Sequence, residues 1–379
     1  MNMNVAPGRV EAETRNVRLI ADCDIHPTPN TTRDLYPWLD QRWRTHIETF
    51  GALRRQGVQQ GPAYPKSQPD AARRDAWPEG GRPGSRLDFM QKQHLDANRV
   101  ALGVLTTISP HPGAYQNPEM SAAFCRAVNE WQKAEWTAKD TRLKGSILVP
   151  YEHGDLAAAE IAHWAGDEDF VQILLLSRTV EPMGQRRYWP LYQAAQEAKL
   201  PIGVHAFGNG AHPITSSGWP SFYIEEMTGH AQTCQSQITS LVLEGVFERF
   251  PGLRIVVIEG GFAWLPPLAW RLDTHWTKLR AETPHLKRKP SEYIRDHVWI
   301  TTQPMEEPQS RQHILDIFEW IGWDRLLFAS DYPHWDFDDP ARCLPIAISE
   351  DQAQRFFLDN ALKLYGVDPA KAAAATLAA

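Results

Sequence analysis

Short runs of apolar, β-branched residues recur along the chain and are mostly separated by segments with helical spacing of apolar residues. Their length and near-continuous apolarity are typical of strands buried on both faces of a parallel sheet. The runs lie at 19–26, 100–107, 143–150, 171–177, 201–206, 253–260, 297–303 and 325–331. Eight strands alternating with helices predict an α/β fold, a closed (β/α)8 TIM barrel. An open doubly wound sheet usually carries a Gly-rich phosphate loop after its first strand, and this sequence has none there.

Helices are predicted between the strands, and one long segment interrupts the alternation. The helices are expected within 117–140, from Asp155 as N-cap, before Pro201, before Pro251, up to Gly322 and over 349–365. Residues 27–93 contain a short helical stretch and then a Pro-, Gly- and Arg-rich one. An insertion directly after the first strand of a barrel lies on the C-terminal face, where substrates bind. We therefore predict a lid or subunit-contact segment at 27–93, within one domain spanning 1–379 and ending in a helical tail at 367–379.

The overall composition is that of an ordinary globular chain, with 379 residues, 42% hydrophobic and 22% charged. A formal net charge of −7 without a dense basic run argues against nucleic-acid binding. The apolar runs are too short to span a membrane, and the N-terminus lacks the apolar segment of a secretory signal. The cysteines are scattered without a C-x-x-C pair, which predicts a reducing, cytoplasmic environment. The expected partner is a small-molecule substrate.

Side chains of metal-ligand type stand at the ends of four predicted strands. Asp24 and His26 are two residues apart and therefore point to the same side of the first strand. His205 ends the fifth strand, Glu259 the sixth and Asp331 the eighth. A single His or Asp at a strand end is often hydrogen-bonded to backbone or caps a helix, but the C-terminal ends of barrel strands converge. The set therefore predicts a divalent cation held by nitrogen and oxygen donors.

These residues also carry a resemblance. D-x-H at 24–26, His205, LLFASDYPHWD at 326–336 and FERFPGLRIVVIEGGFAWLPPLAWRLD at 247–273 together resemble the amidohydrolase superfamily. The chain looks most like the amidohydrolase-related branch that includes the aminocarboxymuconate-semialdehyde and γ-resorcylate decarboxylases. The resemblance covers roughly residues 18–365. It implies a metal-dependent TIM barrel with zinc, manganese or iron on its C-terminal face, commonly a homo-oligomer.

The resemblance also implies roles for individual residues. Asp24 and His26 match the metal pair of the first strand, His205 the ligand of the fifth, and Asp331 the aspartate that contacts metal and handles a proton. Two positions depart from the branch. Asp24 stands where His or Glu is frequent, and Glu259 stands where the decarboxylases carry a catalytic His. A carboxylate there offers no imidazolium to protonate a ring carbon at neutral pH unless its pKa is raised.

A second metal site is the alternative that these acidic residues suggest. Asp24, Glu259 and Asp331 bring three negative charges together, and two divalent ions would offset them better than one. Glu259, assigned as ligand and catalytic residue, could form the second site with His230. His230 could equally be an ordinary polar group on a helix face.

Three further residues are candidates for contacts with substrate. His334, three residues after Asp331, could orient a substrate or a metal ligand, and we include it among the catalytic residues. Arg82 and Arg86 in the insertion could hold a substrate carboxylate, or they could be solvated loop charges.

Metal-dependent hydrolysis is the first prediction of function. A metal-activated water positioned by Asp331 would attack a carbonyl-type small-molecule substrate, and Asp331 would then return the proton to the leaving group. The alternatives on the same scaffold are non-oxidative decarboxylation of an aromatic or unsaturated carboxylate, and hydroxylation by two iron or manganese ions with dioxygen. A fourth possibility is a non-catalytic barrel in complex with an active paralogous subunit, but the complete ligand set argues against it.

Overall fold

A computed structural model of the chain describes residues 18–51, 71–208, 213–215 and 217–378. Within these ranges, eight parallel strands are hydrogen-bonded in sequence order, from β1 beside β2 to β7 beside β8. All their residues are buried except Lys144 and Trp299, which are partly exposed. The strands are β1 (Ile20–Ile25), β2 (Val100–Leu105), β3 (Leu143–Leu148), β4 (Phe170–Leu176), β5 (Ile202–His205), β6 (Ile255–Ile258), β7 (Val298–Thr301) and β8 (Leu326–Leu327).

The sheet closes on itself between β8 and β1. The Cys23 N–H donates to the carbonyl oxygen of Phe328 at 3.0 Å, and the His26 N–H donates to that of Tyr332 at 2.8 Å. The predicted TIM barrel is confirmed. The run predicted as the eighth strand is regular over two residues only, because beyond Leu327 this edge is joined to β1 by separate bonds.

Helices surround the barrel. The α-helices are α1 (Gln41–Phe50), α2 (Leu87–Met90), α3 (Pro118–Gln132), α4 (Gly154–Trp164), α5 (Trp189–Ala198), α6 (Tyr223–Leu243), α7 (Val246–Arg249), α8 (Leu265–Leu279), α9 (Pro290–His297), α10 (Arg311–Ile321), α11 (Glu350–Gln354), α12 (Asn360–Tyr365) and α13 (Pro369–Ala378). Turns of 3-10 helix lie at Thr32–Trp38, Pro112–Ala114, Arg186–Tyr188 and Arg280–Glu282, and π-helical turns at Gln91–Leu95, Lys133–Thr137 and Arg355–Asp359. No helix in the described ranges is long and apolar enough to cross a membrane.

One local prediction about helices was wrong, and one helix was not predicted. α4 begins at Gly154 with His153 as its N-cap, so Asp155 lies in the first turn and is not the cap. An acidic residue there still interacts favourably with the helix N-terminus. α9 was not predicted, because its only buried residues besides the terminal Pro290 and His297 are Tyr293 and Ile294. These are too few to establish a helical pattern.

The described part of the 27–93 insertion lies against the C-terminal face of the barrel, as predicted. Ala72 forms an antiparallel bridge with His334, and the Thr28 N–H donates to the carbonyl oxygen of Gly84 at 2.9 Å. Gly84 has a φ of +73°, and a Cβ there would lie 2.2 Å from the His26 carbonyl oxygen, so only glycine fits. The Pro-rich part of the insertion at 52–70 lies outside the described residues. Within the predicted helical tail, Pro369–Ala378 form α13.

Candidate metal centre

The strand ends bring four predicted ligands together. Asp24 lies in β1, His26 directly follows it, His205 ends β5 and Glu259 directly follows β6. One ligand atom from each of the four residues lies within 4.8 Å of the others, and all four side chains are buried. Asp24, His26, His205 and Glu259 therefore form what we call the first donor group.

A second donor group overlaps the first. His26, Glu259, Asp331 and His334 also place one ligand atom each within 4.8 Å of one another. The two donor groups share His26 and Glu259. The C-terminal face thus offers adjoining sets of nitrogen and oxygen donors, suited to one ion or to two.

The backbone turns sharply at two of these residues. Glu259 has a φ of +53° and Asp331 a φ of +61°, the left-handed conformation that residues other than glycine rarely adopt. Such a conformation costs of order 1–3 kcal/mol and is found where the surroundings enforce it, often at functional sites. Both turns lie at the C-terminal face, where these carboxylates join the donor groups.

Hydrogen bonds orient both histidines of the first donor group. Nδ1 of His26 lies 2.7 Å from the carbonyl oxygen of Thr106, and Nδ1 of His205 lies 2.7 Å from that of Ala206. A carbonyl only accepts, so Nδ1 donates in each ring and Nε2 is the nitrogen that faces the other donors. Metal-binding histidines are typically held in this way.

The facing atoms of the first donor group lack hydrogen bonds. Within the described ranges, no hydrogen-bond partner exists for Asp24 Oδ2, His26 Nε2, His205 Nε2 or Glu259 Oε2. His205 Nε2 lies 3.3 Å from Asp24 Oδ2 and 3.2 Å from Glu259 Oε2. Buried polar atoms are normally paired, and leaving them unpaired is unfavourable. A divalent cation between them would satisfy all four, so these residues fit a metal ion.

The site also holds more negative charge than its surroundings favour. Burial raises the pKa of Glu259 well above its usual range, and the neighbouring Asp331 and Asp336 carboxylates raise it further. Burial and Asp331 raise the pKa of Asp336 to about 8. Burial and Asp331 likewise raise the pKa of Asp338 to about 7. A bound cation would relieve this repulsion.

Asp331 links the donor groups to His334. Its Oδ1 lies 2.9 Å from His26 Nε2 and 2.5 Å from His334 Nδ1. Gln303 Nε2 donates to the other carboxylate oxygen at 3.2 Å. The Asp331 side chain is fully buried, whereas 14% of the His334 side chain is exposed. His334 is therefore the more accessible of the two side chains to a molecule in the cavity beside it.

A cavity of about 340 Å³ opens beside the donor groups. Its lining includes His26, Glu259, His334 and Asp336, together with Arg82 from the insertion. Arg86 does not reach it among the described residues, because its guanidinium pairs with Asp88 at 2.5 Å and lines a different groove. Of the two predicted arginines, the structure places Arg82 at this cavity.

His230 lies apart from the other predicted ligands. It is buried on α6, and its ring packs on Phe207 with centroids 4.2 Å apart. Phe207 in turn lies 6.0 Å from the ring of His205. His230 belongs to neither donor group among the described residues, and its role as a ligand stays a prediction.

Neutral polar residues that hold the ligands were missed by sequence reasoning. The Thr106 hydroxyl, just after β2, donates to Asp24 Oδ1. Gln303, just after β7, binds Asp331, and the Thr301 hydroxyl oxygen accepts from the Glu259 N–H at 3.3 Å. Threonine and glutamine at strand ends converge on the same face as charged residues and histidine, so position at a strand end was a signal for all three residues.

The closed barrel and the buried donor groups on its C-terminal face define a class of metal-dependent TIM-barrel enzymes. Comparison with known sequences identifies the family: the amidohydrolase family model matches residues 21–367, so the chain belongs to that family. The resemblance predicted from the sequence is confirmed.

Several named proteins are similar to this chain. The γ-resorcylate decarboxylase of Polaromonas sp. (strain JS666) is 24% identical over 306 residues, covering 76% of this chain and 90% of that protein. That of Rhodococcus jostii (strain RHA1) is 24% identical over 312 residues, covering 76% and 92%. Among solved structures, 5-carboxyvanillate decarboxylase from Sphingomonas paucimobilis superposes with a TM-score of 0.66 and 22% identity, covering 93% of this chain and all of that one. A dihydroxybenzoic acid decarboxylase from Polaromonas sp. JS666, with bound manganese and an inhibitor, superposes with a TM-score of 0.65 and 20% identity. The superposition covers 94% of this chain and 99% of that one.

Proposed function

We propose that the protein is a metal-dependent lyase that removes the carboxyl group of an aromatic or unsaturated carboxylate as CO2. The observation that carries this proposal is a buried metal-type donor group in a chain whose similar relatives, matched over nine-tenths of their length, are decarboxylases. These relatives favour decarboxylation over the hydrolysis that the sequence predicts first.

Asp24, His26, His205 and Glu259 would hold the metal ion, with Asp331 beside it. Manganese, present in the structure of one relative, suits this mixture of imidazole and carboxylate donors. When bound, such an ion supplies positive charge that binds and polarises substrate oxygen atoms.

His334 is the proton donor in this proposal. Decarboxylation breaks the bond to the carboxyl carbon, CO2 leaves, and the electron pair that remains on the substrate carbon takes up a proton. Glu259 occupies the position where the decarboxylases resembled by this sequence carry a histidine, but His334 lines the same cavity. Its Nδ1 is held by Asp331, which leaves Nε2 for the substrate.

Release of CO2 tests the proposal. The purified protein is loaded with Mn²⁺ and incubated with dihydroxybenzoates and 5-carboxyvanillate, and CO2 and the decarboxylated product are quantified. We expect one CO2 per substrate consumed, without uptake of oxygen. If no aromatic carboxylate releases CO2 while an ester or amide is turned over, the proposal is contradicted and hydrolysis becomes the favoured function.

Replacing Arg82 with Ala is expected to raise KM for a carboxylate substrate about 10- to 100-fold, because a hydrogen bond to a charged group contributes about 1.5–3 kcal/mol. Arg86→Ala is the matched control, since Arg86 lies in the same insertion but pairs with Asp88. The measurement is steady-state kinetics of both variants. Equal KM values for the two variants would exclude Arg82 from substrate binding.

A two-metal hydroxylase is the second candidate, and the overlap of the two donor groups favours it. His205 belongs only to the first donor group and His334 only to the second, while His26 and Glu259 lie between them. Two equivalents of iron or manganese per chain with oxygen consumption would support this candidate. A single equivalent in a fully active protein would exclude it.

A further inference from the structure

A second polar cluster lies beside the donor groups, formed by Asp22, His94 and Ser330, which are all fully buried. Asp22 Oδ1 accepts hydrogen bonds from the N–H groups of Asp24 at 3.2 Å and Ser330 at 2.8 Å. Asp22 Oδ2 accepts from His94 Nε2 at 2.7 Å and from the Ser330 hydroxyl at 2.5 Å. One buried carboxylate thus receives four hydrogen bonds.

Two of these four donors belong to the backbone that carries metal ligands. One is the N–H of Asp24 itself, and the other is the N–H of Ser330, which directly precedes Asp331 in its left-handed conformation. In the described part of the chain, β1 and β8 share no continuous ladder and are joined there by separate backbone bonds. The Asp22 side chain supplies the connection that a ladder would otherwise provide.

The His94 ring is fixed on both sides. Asn98 Nδ2, which can only donate, lies 3.1 Å from His94 Nδ1, so the ring proton is on Nε2 and points to Asp22. The ring stacks on Tyr332, with centroids 4.7 Å apart and planes 8° apart. The Tyr332 N–H in turn donates to the Ser330 hydroxyl at 3.1 Å. The cluster is therefore a connected hydrogen-bond network around the residues next to Asp331.

The residue types are those of a Ser-His-Asp triad, but the geometry excludes that role. The Ser330 hydroxyl donates to Asp22 and lies 3.5 Å from His94 Nε2. None of the three side chains is exposed, and none is among the described residues that line the cavity. A buried hydroxyl without access to substrate cannot act as a nucleophile.

We propose that Asp22, His94 and Ser330 are positioning residues that hold the backbones of Asp24 and Asp331 and thereby set the affinity of the site for its metal ion. The inference rests on the metal centre of the proposed function and is independent of which reaction the centre performs. Partners that orient metal ligands typically contribute 10- to 100-fold to metal affinity or activity.

Titration of the metal-free full-length protein with Mn²⁺ alone tests this role. Ser330→Ala removes the hydroxyl bonds to Asp22 and Tyr332 but keeps the backbone N–H, and His94→Gln removes the ring from the network. Each variant is expected to raise the Kd for Mn²⁺ about 10-fold or more. Mn²⁺ affinity is read by competition with a metal buffer, so no substrate is needed.

Ser146→Ala is the matched control. Ser146 is buried in β3, and its hydroxyl oxygen accepts a hydrogen bond from Gln172 Nε2 at 2.9 Å. This variant should lose thermal stability to an extent similar to Ser330→Ala while binding Mn²⁺ as tightly as the unaltered protein. If Mn²⁺ affinity is unchanged in both Ser330→Ala and His94→Gln, the positioning role is overturned while the metal centre stands. Failure of the unaltered protein to bind Mn²⁺ would overturn the metal centre and this inference with it.

Discussion

Replacing Asp331 with Asn is expected to lower kcat by about 1,000-fold or more and to leave the fold intact. The carboxylate lies 2.9 Å from His26 Nε2 and holds His334 Nδ1 at 2.5 Å. An amide of equal size removes the carboxylate that orients His334 and the negative charge that it adds to the metal-binding site. Loss of a positioned acid–base group lowers the rate about 10²- to 10⁴-fold, and here metal binding is weakened as well. Turnover, circular dichroism and Tm are measured together.

Asp324→Asn is the control for this substitution. Asp324→Asn makes the same chemical change at an exposed position, where the Asp324 carboxylate pairs with Arg325 at 2.9 Å. Exposed ion pairs contribute little, so turnover should stay close to that of the unaltered protein. If Asp331→Asn also turned over at a near-normal rate, Asp331 would have no part in the mechanism.

Glu259→Gln is expected to weaken metal binding by about 100-fold or more. Loss of a residue that only orients a metal ligand typically lowers metal affinity about 10- to 100-fold, and here a ligand itself is lost. Glu259 belongs to both donor groups, and its Oε2 lies 3.2 Å from His205 Nε2. A neutral amide is a weaker metal donor than a carboxylate, while its similar shape preserves packing. The measurement is metal content per chain after dialysis against a metal buffer.

Glu306→Gln provides the comparison for Glu259→Gln. Glu306 is a partly buried carboxylate that accepts hydrogen bonds from the backbone N–H groups of Phe262 and Ala263 and lies outside both donor groups. Its substitution should leave metal content unchanged. Full metal occupancy in Glu259→Gln would reduce Glu259 to an acid–base or structural role.

The barrel and most of the donor set could be predicted because they depend on local patterns. Apolar runs mark strands buried on both faces, and the C-terminal ends of parallel barrel strands must converge. Asp24, His26, His205, Glu259 and Asp331 follow from these two rules, and the structure places each of the five in at least one of the two overlapping donor groups. The family resemblance added the expected metal but did not show which reaction follows.

The rest depends on side-chain directions and loop conformations that no local pattern specifies. Asp22 has the same two-residue spacing from Asp24 as His26 has, yet it faces Ser330 and His94 and lies in neither donor group. His230 was placed correctly on a helix, but the direction of its side chain toward Phe207 depends on how α6 packs. Arg82 and Arg86 are indistinguishable in sequence and are separated only by the path of the insertion.

Metal analysis of the purified protein tests whether the donor groups hold a divalent cation that activity requires. We expect at least one equivalent of manganese, iron or zinc per chain. A chelator should remove both the metal and the activity, and adding the metal back should restore both. A protein that is metal-free as purified, takes up no divalent ion and keeps its activity in chelator would contradict the metal centre.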